Sequence, residues 1–143
     1  MKILIATGAF KHSLSAQHVA EAVRDGFIAS GLDASYHLLP IADGGNGTLD
    51  AFLANGGERI TIPAHDPLMR PIYADYGLIN DGKTAVIEMA TASGIELLTN
   101  DELNPLMTTT YGTGELMQDA INRGATQLII GLGGSATVDG GMG

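Results

Sequence analysis

No cysteine occurs in this chain, which excludes disulfides and thiolate chemistry and fits a reducing cytoplasm. Basic residues are scarce: seven Lys and Arg against sixteen Asp and Glu give a net charge of −9. A nucleic-acid groove needs a clustered positive footprint, and none is present. No apolar run is long enough to span a bilayer, and Met1-Lys2-Ile3-Leu4-Ile5-Ala6 lacks the core and cleavage site of a secretory signal. No internal repeat appears. The four histidines, His12, His18, His37 and His65, show no metal-ligand spacing, and a G-x-S-x-G nucleophile motif is absent. What remains is an acidic, ordered, globular chain with 45% hydrophobic residues.

Glycine is what the chain has in excess. Twenty of 143 residues is about twice ordinary usage. The surplus gathers in loops: Asp43-Gly44-Gly45-Asn46-Gly47-Thr48, Tyr111-Gly112-Thr113-Gly114, and Gly133-Gly134-Ser135-Ala136-Thr137-Val138-Asp139-Gly140-Gly141. A fourth loop, Ala9-Phe10-Lys11-His12-Ser13, follows the first strand-like run. Each follows an apolar strand-like segment, opens a helix-like one, or both. Such corners present backbone N–H groups where phosphate or carboxylate binds favourably. The four loops together predict one anion-binding mouth at the carboxyl ends of the strands.

Periodicity predicts a strand over 2–6, then a helix capped by Ser13 or Ser15 that reaches about Ser30 with Val19, Val23 and Phe27 inward. A strand over 34–39 follows, then a short helix from Thr48, and a third strand over 58–62. That order predicts a layered α/β fold: a mainly parallel sheet with flanking helices, Rossmann- or flavodoxin-like at its start. Pro63, Pro67 and Pro71 interrupt the pattern, so residues 1–64 read as the start of one α/β domain and 65–143 as the start of a second. The second opens with a β-hairpin, Ile72–Leu78 and Thr84–Glu88 around Asn80-Asp81-Gly82. Thr110 or Thr113 is expected to cap a helix over 114–123 with Leu116, Ala120 and Ile121 inward, before a buried strand over 127–132.

Two familiar formulas occur and are set aside. Residues 77–84 fit G-x-x-x-x-G-K-[ST], but a strand-like run and not a helix follows Lys83. Residues 131–136 fit G-x-G-x-x-A after a strand, but the helix and acidic residue that a dinucleotide site needs would fall beyond residue 143, and a lone match is weak. Within the loops, Lys11 is the one basic residue and suits a transferring phosphoryl group; the alternative is a surface lysine. Asp43 and Asp139 stand beside paired glycines, where a carboxylate can hold magnesium or accept a hydroxyl proton; the alternative for each is helix capping. Glu88 ends a strand as a further carboxylate, with a structural hydrogen bond as its alternative role.

Taken in order, these blocks resemble the type-1 glycerate kinase family. The likeness runs through Phe10-Lys11, Ser13-Leu14-Ser15-Ala16, Ala42-Asp43-Gly44-Gly45 and Gly47-Thr48. It continues through Asp81-Gly82-Lys83-Thr84-Ala85, Ile87-Glu88-Met89-Ala90, Ala92-Ser93-Gly94 and Thr109–Leu116, and ends in Gly131–Thr137 with Asp139-Gly140-Gly141. The resemblance implies an ATP-dependent kinase acting on glycerate with Mg2+, of which this chain is an N-terminal portion, expected to be inactive alone. It places family sites on Lys11, Asp43 and Asp139 with the surrounding loop amides; the residue types themselves suggest catalytic roles for all three, with Asp43 and Asp139 as metal ligands. Substrate and nucleotide contacts fall to Ser13, Gly44, Gly45, Thr113, Gly114, Gly133, Gly134, Ser135 and Thr137. Expected partners are the small-molecule substrate, with no nucleic acid and no membrane; a homo-oligomer is left open. The family usually has Pro-Asp-Ser where Thr7-Gly8-Ala9 stands, a glutamate at Asn46, a small residue at His12 and an asparagine at Val138. Those departures motivate a second reading, a homologue that binds nucleotide or hydroxy acid without turnover.

Overall fold

The structure, a computed structural model, describes residues 1–10, 13–54 and 56–143. It is a mixed α/β molecule made of two compact units, Met1–Asp43 and Gly44–Gly143. The first unit holds β1 (Lys2–Thr7), α1 (Ala16–Ala29) and β2 (Ser35–Pro40). β1 and β2 pair in parallel, from Lys2 opposite Ser35 to Thr7 opposite Pro40. Ser15 caps α1 as expected, its hydroxyl accepting the His18 N–H. Val19 and Ala20 are buried, and Phe27 stacks on Tyr36 at 6.1 Å, but Val23 and Phe27 keep more than a third of their surface exposed.

The second unit is a four-stranded sheet in the order β3-β4-β5-β6, with helices on both faces. Its elements are α2 (Thr48–Leu53), β3 (Glu58–His65), β4 (Pro71–Ile79), β5 (Thr84–Glu88), α3 (Ala90–Ser93), α4 (Tyr111–Asn122) and β6 (Gln127–Gly131). One expectation is corrected here: β3 does not extend the β1–β2 sheet but runs antiparallel to β4, Glu58 opposite Leu78 and His65 opposite Pro71. The Asp66–Arg70 turn that closes this pairing explains why. The buried Asp66 carboxylate accepts the Leu68 and Arg70 N–H groups at 2.8 and 2.9 Å and the Arg70 guanidinium, so the proline-rich segment becomes a hairpin turn. The expected hairpin of β4 and β5 is present, with Asn80, Asp81 and Gly82 all at positive φ. Lys83 thus leads into a strand, which disposes of the phosphate-loop formula.

Every residue of β5 is buried, which accounts for its near-continuous apolar run. Ala85 and Ile87 join the core beneath Leu116 and Ala120 of α4, while Glu88 reaches α2. Gly77 of β4 admits α2, since a Cβ there would come within 2.6 Å of Leu49. Among the described residues β6 pairs in parallel with β5 alone and is only half covered, not the buried strand expected. Ile121 of α4 is exposed rather than inward.

Candidate functional site

The hydroxyl-rich run Thr108–Thr113 leads into α4, yet Thr110, at the N-cap position, makes no capping bond with its own side chain. The cap comes from the last loop. Asp139 Oδ2 accepts the Thr110 N–H at 2.8 Å and the Thr110 hydroxyl at 2.9 Å, and Oδ1 accepts the Gly141 N–H at 3.1 Å. Partial burial pushes this carboxyl up, but the Thr110 and Gly141 hydrogen bonds outweigh it and hold the group below the usual carboxylate range. A negative charge at a helix N-terminus is favourable in its own right. The capping alternative for Asp139 is therefore realised.

Around this joint lies a cleft of about 900 Å³. Thr113, Gly114, Ser135, Thr137 and Asp139 line it, so two of the four loops expected to share a mouth, the third and the fourth, meet here. Their hydroxyls are organised by one another. Ser135 and Thr137 Oγ atoms lie 3.0 Å apart, and the buried Thr113 hydroxyl pairs with Ser93 at 2.7 Å. Met89, Met117, Ile130 and Leu132 add apolar side chains to the lining.

The second loop is present behind the fourth. Gly133 N–H donates to Gly44 C=O at 2.8 Å, and a Cβ on Gly133 would stand 2.6 Å from the Gly45 Cα. A Cβ on Gly131 would stand 2.5 Å from the Gly44 carbonyl. Gly44, Gly45 and Gly133 thus permit backbone-on-backbone contact, and none of the three lines the cleft. Gly134 adopts φ +76, and its carbonyl accepts Ile95 N–H at 2.8 Å. Asp43 and Ser13 belong to the other unit, and Lys11 lies outside the described residues together with His12. Among the described residues no group of three His, Asp or Glu side chains is arranged to hold a metal.

Glu115 was not singled out from the sequence, although it lines the cleft. Its carboxylate accepts the His65 N–H at 2.8 Å and lies 3.0 Å from His65 Nδ1, joining the start of α4 to the end of β3. Its place in the Thr109–Leu116 block was the available signal.

A model described as "Glycerate kinase family" matches residues 3–143. The "Glycerate kinase" of Bacillus subtilis is 52% identical over 144 residues, covering all of this chain and 38% of that protein. The "Glycerate 2-kinase" of Escherichia coli is 50% identical over 145 residues, with the same coverage. Among solved structures, a provisionally assigned glycerate kinase 2 from Salmonella typhimurium LT2 superposes with a TM-score of 0.76 at 47% identity, covering 99% of this chain and 38% of that one. The chain thus spans about 38% of the length of the relatives it matches.

Proposed function

Because the chain belongs to the glycerate kinase family, we propose that the protein it forms part of transfers the γ-phosphoryl group of ATP to a hydroxyl of glycerate. The observation that carries this reading is the convergence of Thr113-Gly114 with Ser135–Asp139 on one cleft, in a chain at least half identical to two glycerate kinases over its whole length. ATP supplies the phosphoryl group and its charge. The cleft's glycine backbone and hydroxyls suit phosphate oxygens, and its volume of about 900 Å³ is ample for a nucleotide.

Magnesium in phosphoryl-transfer sites is held by one or two carboxylates together with the phosphates, so a three-residue cage is not required. Asp139 fits that role. Hydrogen bonds from Thr110 and Gly141 hold its carboxyl below the usual carboxylate range, so it stands ionised in the cleft lining. Asp43 is the second candidate ligand, and Lys11 the cation for the transferring group. Gly44, Gly45, Gly133 and Gly134 shape the loops, while Ser13, Thr113, Gly114, Ser135 and Thr137 are proposed to contact substrate or nucleotide. These groups act by holding the reactants in line and neutralising charge. A protein carrying this sequence at the full length of its relatives is expected to release ADP when given glycerate, Mg2+ and ATP, and the 143-residue chain alone is expected to show no turnover. ATP binding by the full-length protein without any ADP release would favour the non-catalytic reading that Gly8, Asn46 and Val138 motivate.

A further inference from the structure

Glu88 is 5% exposed, and among the described residues no basic side chain is hydrogen-bonded to it. Its Oε1 accepts the Leu49 N–H at 2.6 Å, and the Gly47 N–H also donates to the carboxyl. Both amides belong to the start of α2, whose N-cap is Gly47 at φ +94, a residue with no side chain to cap with. Glu88 therefore supplies from across the sheet the acceptor that the helix cannot supply itself.

The backbone of the same residue lies at another junction. Glu88 is the register partner of Gly131, and the next residue, Met89, donates its N–H to Gly131 C=O at 3.0 Å. Gly131 and Gly133 in turn rest against Gly44 and Gly45. One residue thus ties the end of β5 to both glycine corners. Thr48 closes the first corner internally, accepting the Gly44 N–H and donating to the Gly45 carbonyl.

Burial pushes the Glu88 carboxyl up, and the Leu49 and Gly47 bonds pull it back only partly. The charged and titratable groups facing it across a cleft of about 390 Å³ are Asp50 of α2, Arg59 of β3, and Tyr73 and Asp75 of β4. Arg59 is itself held by Asp50 and Asp75. A carboxyl kept here without an ion pair costs stability when ionised. Its return is geometric.

We infer that Glu88 is a positioning residue: as the remote acceptor for the Leu49 and Gly47 amides it sets the Gly44–Gly47 corner, and through it the Gly131–Gly134 corner that backs the cleft. The kinase reading gives this arrangement its purpose, but the arrangement can be tested without turnover.

The test is amide hydrogen exchange on the 143-residue chain, comparing Glu88→Met, which has similar bulk and no acceptor of comparable strength, with Glu88→Gln, which keeps one carbonyl oxygen. A hydrogen bond to a carboxylate is worth roughly a factor of ten in an equilibrium. In Glu88→Met the Leu49 and Gly133 amides are expected to exchange about tenfold faster or more, with Ile62 and Val86 in the sheet unchanged. Glu88→Gln is expected to restore Leu49 and Gly133 while Gly47 stays fast. Equal behaviour of the two variants, loosening spread over the whole sheet, or an unmoved Gly133 overturns the inference. Should Glu88→Met fail to fold, the contrast between Gly47 and Leu49 within Glu88→Gln decides. A full-length protein that releases no ADP while this exchange pattern holds would refute the kinase reading alone.

Discussion

Gly112 and Gly114 stand two residues apart in the first turn of α4 and look alike in the sequence, yet alanine should act on them in opposite directions. A Cβ on Gly112 would lie 1.9 Å from the His65 carbonyl oxygen and 3.1 Å from Ala92 Cβ. The first contact is roughly 1.5 Å inside ordinary van der Waals separation. The obstacle is strand backbone, and the adjacent His65 N–H is already tied to Glu115 at 2.8 Å. Relief therefore means moving α4 off the end of β3. Such overpacking costs about 1–3 kcal/mol, against a helix-propensity gain of about 1 kcal/mol. A 1.9 Å contact with backbone puts this case at the upper end of the overpacking range, so Gly112→Ala should lose about 2 kcal/mol net. At Gly114 a Cβ meets nothing within 4 Å, so only the propensity term operates and Gly114→Ala should gain about 0.5–1 kcal/mol. With a urea slope of about 2 kcal/mol/M, the two midpoints should separate by about 1 M or more on opposite sides of the parent chain. Far-UV circular dichroism in urea reads this directly. Midpoints that move together, or a stabilised Gly112→Ala, would refute the placement of α4 against β3.

Asp139→Ala should destabilise the chain by about 1 kcal/mol at neutral pH through loss of the helix cap. The folded Asp139 carboxyl sits below its ordinary range. Its contribution is therefore present above the unfolded value near 3.9 and disappears as pH falls through the lower, folded one. Urea midpoints of parent and variant should converge in acid, and a gap that does not narrow as pH falls below the unfolded value would contradict the assignment. Ser93→Ala should cost about 1–3 kcal/mol by stranding the buried Thr113 hydroxyl. Adding Thr113→Val should recover part of that loss, and additive losses in the double mutant would show that the two hydroxyls do not depend on each other.

The sequence by itself determined the elements. Ser15 announced α1, Asn80-Asp81-Gly82 announced the β4–β5 hairpin, and the matched blocks announced the family, because each depends on local chemistry or on residue order. It also marked the glycine corners, since excess glycine between strand and helix is visible without coordinates. It did not determine which partner β3 would take, because an alternating apolar run suits either sheet, and only the Asp66–Arg70 turn sends it to β4. Nor could it sort the glycines into those that line the cleft and those that let backbones touch. Gly114 faces open space, whereas Gly131 and Gly133 lie against Gly44 and Gly45, residues nearly ninety positions away in the chain. Tertiary structure decided these matters, and it decided that Asp139 caps α4 from the far loop and that Glu88 does the same for α2. A carboxylate takes its role from the donors around it, and those donors are neighbours only in space.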